Sequence, residues 1–82
     1  MIIRSQNKKR ITDDLKLHIE KRYEERNGEW YEIRTSSHES IGEYSTMEKA
    51  VKVLDMICDA CRNIAFIDEQ AVVFNMPQDS EV

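Results

Sequence analysis

The chain reads as an α+β domain, a single antiparallel-rich sheet of four to five strands packed on one long helix in the order β-β-β-β-α-β. Three observations predict it. Leu15, Leu17 and Ile19 alternate with Lys16, His18 and Glu20, the period of a half-buried strand. Arg26-Asn27-Gly28 is a hairpin signal, because glycine accepts the left-handed backbone that a tight turn requires. From Met47 onward apolar residues recur every three or four positions, the signature of an amphipathic helix.

Taken in order, Met1 to Gln6 predicts a short strand with Ile3 inward, followed by a basic turn from Asn7 to Arg10. The next segment has a competing reading. Ile11, Leu15, Ile19 and Tyr23 fall four apart, and Thr12-Asp13-Asp14 would cap a helix. A helix would put Leu17 on its polar side, so residues 13–25 are read as a strand entering the hairpin. A two-residue turn there sets Tyr31 against Glu24 and Ile33 against Arg22, mixing the faces. A three-residue loop with Gly28 in the left-handed region pairs Tyr23 with Tyr31, Lys21 with Ile33 and Ile19 with Thr35. The opposite face then pairs Arg22 with Glu32 and Glu20 with Arg34, and a one-residue slip would destroy the segregation.

Ser36 to Glu39 forms a polar turn, and Ile41 to Tyr44 a further strand. Ser45 and Glu48 stand at capping-box spacing before the helix. Its expected buried face comprises Met47, Ala50, Val51, Leu54, Ile57, Cys58, Cys61, Ile64 and Ala65; Val53, Met56 and Ala60 form a flank that widens the apolar arc, expected to pack against a loop or a terminal strand, with self-association as the alternative. Ala71 to Met76 reads as the last strand, stopped by Pro77. Residues 1–77 form the domain, with 78–82 an acidic, flexible tail.

Cys58 and Cys61 have Cys-x-x-Cys spacing but lie well inside the helix, away from the N-terminal amides that stabilise a thiolate. They are expected to be reduced core thiols, without metal or redox work. His18 and His38 supply no recognisable ligand pair for zinc. A formal net charge of −4 argues against a general nucleic-acid binder, although Arg4, Lys8, Lys9 and Arg10 are clustered. Apolar runs fall short of a membrane span, and the first residues lack a signal-peptide core, so a cytoplasmic protein is expected.

Met1 to Gln6, the segment Gly42-Glu43-Tyr44-Ser45-Thr46 with Glu48-Lys49-Ala50 and Val53 to Ile57, and the closing Phe74-Asn75-Met76-Pro77-Gln78-Asp79 resemble a family of small uncharacterised proteins of Gram-positive, clostridial-type bacteria and their phages and mobile elements. About half of the chain carries the resemblance, and residues 13–40 lie outside it. The family brings no established catalytic residues to carry over, and no cofactor is expected. It implies a setting in which small proteins often inhibit host systems.

One helix covers one face of a sheet, which leaves His18, Glu20, Arg22, Glu24, Trp30, Glu32 and Arg34 on the other. Trp30 and Arg22, diagonal in the expected register, suit guanidinium stacking. Tryptophan and arginine dominate binding hot spots, so Trp30, Arg34, Arg22 and Glu32 form the expected partner-binding patch. The expectation is a non-enzymatic binder of a host protein, an inhibitor or counter-defence factor. The alternative is a nucleotide or other small-molecule sponge, with its pocket at a homodimer interface.

Overall fold

The computed structural model describes residues 1–63 and 72–82, and in it two three-stranded sheets stand where one was expected. The α+β class and the long helix are as read. The elements are β1 (Ile2–Arg4), β2 (Ile11–Thr12), β3 (Leu17–Glu24), β4 (Gly28–Thr35), β5 (Ser40–Tyr44), α1 (Met47–Asn63) and β6 (Val73–Asn75), followed by a 3-10 turn over Asp79–Glu81. One sheet has the order β2-β1-β6, with β1 antiparallel to β2 and parallel to β6. The other, β3-β4-β5, is antiparallel throughout.

The reason β1 does not extend the larger sheet lies just past its end. Arg4 leads into a turn in which Lys8 adopts a left-handed backbone (φ 65°) and Ser5 O accepts from Lys8 N. The neighbour of β5 is therefore Gln6. Its backbone N–H donates to Ile41 O, and its side-chain amide pairs with the backbone of Glu43, donating to O at 3.0 Å and accepting from N at 2.9 Å. A single amide side chain stands in for a strand, which satisfies the β5 edge without joining the sheets.

Residues 13–25 hold no helix: Leu17–Glu24 is strand β3, and Gly28 has φ 72° as the turn requires. The faces segregate as read, but the register differs by two residues. Ile19 pairs with Ile33, Lys21 with Tyr31, Arg22 with Trp30 and Leu17 with Thr35; Glu24 meets Gly28. The shift puts Ile19 rather than Lys21 against Ile33, which is fully buried. An apolar pair inside the core outweighs a Tyr–Tyr pair at an exposed tip. Between β4 and β5 the ladder shifts at Ile33/Arg34, making Ile41 the extra residue of a bulge and burying it.

Ile3, Ile33, Ile41, Tyr44, Ala50, Val53, Ile57, Met1 and Met76 form the core. Gly42, opposite Ile33, is required by close approach: a Cβ there would lie 2.9 Å from both Met76 Cε and Tyr44 Cε2. The helix buries Ala50, Val53 and Ile57, whereas Met47 and Val51 are exposed. Its apolar face is thus turned toward Val53, which belongs to the same core cluster as Met1, Ile3 and Met76. This bears on two of the readings. Val53 is core and unavailable for self-association, with Ala60 packed against the core, which leaves Met56 as the exposed member of that flank. Cys58 is exposed rather than buried, and Cys61 is half-buried; both are free thiols.

The helix cap also differs from the reading. Thr46, not Ser45, is the cap: its Oγ1 accepts from Lys49 N at 3.1 Å, and its carbonyl accepts from Ala50 N. Ser45 turns instead to the end of the chain. Its N–H and hydroxyl both donate to Asp79 Oδ1, at 2.8 and 3.1 Å, while Lys49 Nζ donates to Asp79 O. The segment read as a flexible tail thus has defined partners. Ile64 and Ala65, read as helix face, and Ala71, read as strand, lie outside the described residues.

Candidate functional site

The β3-β4-β5 sheet carries α1 on one face. The other face presents His18, Glu20 and Arg22 from β3 and Trp30, Glu32 and Arg34 from β4, since alternate residues of a strand share a side. The sequence-read residues Trp30, Arg34, Arg22 and Glu32 are therefore brought together. Trp30 lies directly opposite Arg22 rather than diagonal to it.

Glu32 is the centre of this face. Its side chain is only 8% exposed, and a buried carboxylate must be paired. Arg34 Nη1 donates to Oε1 at 2.6 Å, Trp30 Nε1–H donates to Oε2 at 2.9 Å, and Arg22 Nε lies 4.0 Å from Oε2. Glu20 binds the same two arginines from the neighbouring strand, with Arg34 Nε at 3.1 Å and Arg22 Nη1 at 3.8 Å. The Arg34–Glu20 contact is an ion pair without hydrogen-bond alignment, so Arg34 Nε is buried with no aligned acceptor. Arg34 Nη2 also donates to the carbonyl of His38, a residue with φ 64°. His18 Nε2 lies 3.2 Å from Glu20 Oε1, and its ring meets the His38 ring edge-on at 6.5 Å. The His18 hydrogen bond, assisted by the Arg34 and Arg22 charges, holds the Glu20 carboxyl below its ordinary range.

The arrangement has a consequence for each residue. Glu32 and Arg34 are occupied by one another and by their neighbours, so they position rather than present. Trp30 has its indole N–H tied to Glu32, which fixes the ring, while Arg22 opposite it keeps half of its side chain exposed. The accessible pair is Trp30 with Arg22, supported by an ionic lattice beneath. Sequence reasoning found these residues by strand alternation. The expected Glu20–Arg34 and Arg22–Glu32 ion pairs are both present, in the shifted register; the reading missed the His38 carbonyl, which depends on how the β4–β5 turn folds back.

Other surfaces are less organised. A groove of about 550 Å³ beside Arg34 is lined by Ser5, Asn7, Arg10, His38, Glu39 and Glu43 among others. Its two carboxylates oppose its arginines, and Arg10 is paired with Glu39 at 3.6 Å, so the groove holds no surplus charge for a phosphate. Among the described residues no cluster of three or more His, Cys, Asp or Glu is arranged to hold a metal ion. No described helix is long and apolar enough to cross a membrane. No protein-family model, curated protein or solved structure matches the chain.

Proposed function

We propose that this chain is a small non-enzymatic binding protein that docks a host protein on the open face of the β3-β4-β5 sheet. The observation that carries this reading is the pre-ordered Trp30. A half-buried tryptophan is held by a hydrogen bond to Glu32, which is itself fixed by Arg34, and Arg22 stands opposite. An aromatic side chain whose rotamer is already set loses little entropy on binding, and tryptophan and arginine are enriched among the residues that carry interface energy. The resemblance of the chain's ends and centre to small proteins of clostridial-type bacteria and their phages supports the setting. In that setting the protein acts in the bacterial cytoplasm as an inhibitor or counter-defence factor.

The test starts from a tagged chain expressed in a clostridial-type host, with the captured protein identified and its affinity measured directly. Trp30→Ala is expected to weaken binding by about 2 kcal/mol or more, roughly thirtyfold in Kd. Met56→Glu, on the exposed part of the helix, is expected to bind as wild type. Equal affinities for wild type and Trp30→Ala, both folded by circular dichroism, would sink the sheet-face reading.

A further inference from the structure

The hairpin that carries the site also ends in an unpaired edge. β3 is eight residues long and stands at the end of the β3-β4-β5 order; among the described residues no strand lies beyond it. Every residue from Lys21 to Asn27 is exposed, and Tyr23 is 68% exposed. On the other side β5 pairs with β4 only from Tyr31 to Arg34, so among the described residues no third strand accompanies the outer part of the hairpin. A long regular edge of this kind presents a row of backbone N–H and C=O groups ready for another strand.

We propose that a second copy of this chain adds to the β3 edge, antiparallel, about a two-fold axis through Lys21, making one continuous six-stranded sheet. The side chains choose this partner and this register. With Lys21 on the axis, Glu20 of each copy faces Arg22 of the other and His18 faces Glu24, so the open face gains complementary pairs along the whole strand. On the helix-side face Tyr23 meets Ile19, which gives an exposed aromatic an apolar neighbour. Moving the axis to Glu20 sets glutamate against glutamate, and moving it to Arg22 sets arginine against arginine. Lysine on an edge strand ordinarily guards against pairing. Here Glu29 of the same chain lies 3.2 Å from Lys21 Nζ, so each lysine at the axis has an acidic partner on its own neighbouring strand that offsets part of the repulsion. The assembly is isologous and closed, and it places two Trp30 faces side by side on one surface. It is independent of the host-protein reading, because it is measured on the protein alone.

Sedimentation equilibrium of the full chain is expected to give twice the 9.7 kDa protomer mass. Tyr23→Lys, at an exposed position that leaves the protomer fold intact by circular dichroism, is expected to weaken the dimer at least about tenfold. Register is read by cross-linking in a Cys58→Ser/Cys61→Ala background. Under mild oxidation Lys21→Cys is expected to form the intermolecular disulfide readily, because residues directly opposite across an antiparallel pair have close Cβ atoms. Tyr23→Cys, four residues from its own symmetry mate along the strand, is expected to cross-link far more slowly. A chain that sediments as a monomer at the highest soluble concentration overturns the proposal. So does a dimer in which Tyr23→Cys cross-links as readily as Lys21→Cys.

Discussion

The body of the molecule and its projecting hairpin are held together by opposite means. In the body, contacts join segments far apart in the chain. Gln6 reaches the backbone of Glu43 and Pro77, Tyr44 donates its hydroxyl to Pro77 O, and Asp79 receives Ser45 and Lys49. Burial of Tyr44 and the nearby Asp79 and Glu81 charges push the Tyr44 hydroxyl well above its ordinary pKa, so it remains a donor. Among the described residues the outer hairpin has no such partners. Lys21 to Asn27 are exposed, and the hairpin is stabilised by its ladder and by ion pairs between neighbouring strands and along each strand. The difference teaches where the molecule is cooperative. Removing a body contact disturbs several elements at once, whereas the hairpin tip can open locally without unfolding the core.

The comparison is broken most severely by emptying the body. Ile3→Ala, at a fully buried residue, is expected to destabilise by about 2–5 kcal/mol, the cost of an unfilled core position. Arg26→Ala, at an exposed position in the hairpin turn, should stay within about 0.5 kcal/mol. Urea denaturation of both variants checks the contrast, and equal losses would refute it.

A smaller effect sharpens the hairpin side. Gly28→Val forces a β-branched residue into left-handed backbone and should cost about 1–2 kcal/mol. Nothing lies within 4 Å of a Cβ built at Gly28, so the loss comes from backbone strain and not from a clash. Amide exchange should show the loss confined to β3 and the start of β4, with α1 protected as before.

The smallest effect concerns the closing segment. The backbone N–H of Ser45 is the main influence holding the Asp79 carboxyl below its ordinary value, with help from the Ser45 hydroxyl and Lys49. A carboxyl whose folded pKa is depressed stabilises the fold above its unfolded pKa, and that contribution disappears as pH falls through the folded value. Asp79→Ala should therefore cost about 1 kcal/mol at neutral pH, the scale of a partly exposed hydrogen-bonded carboxylate. Its deficit relative to wild type should shrink under acid. A pH-independent deficit would show that Asp79 acts through packing alone.

The hairpin and its two faces were legible because they are written in short-range patterns. Alternation from Leu15 to Glu20 and the Asn27-Gly28 turn place Trp30, Glu32 and Arg34 on one side without knowledge of any other element. The register was only half legible. Side-chain parity excluded a one-residue slip, but the choice between Tyr23–Tyr31 and Ile19–Ile33 depended on which end of the hairpin is buried. The helix was legible as a helix, while its buried stripe was not: Val53 is fully buried, whereas Val51 and Met47 are exposed.

The α+β class, the hairpin, the long helix and the membership of the open face follow from periodicity and turn chemistry, which act over a few residues. Other features needed the folded chain. Tertiary structure decided that the strands divide into two sheets, that Gln6 completes the β5 edge, and that Ser45 binds Asp79 and leaves the helix cap to Thr46. Each of these depends on groups that meet only after distant segments pack, where an unsatisfied polar group or an unfilled core position carries a free-energy cost that no local pattern records.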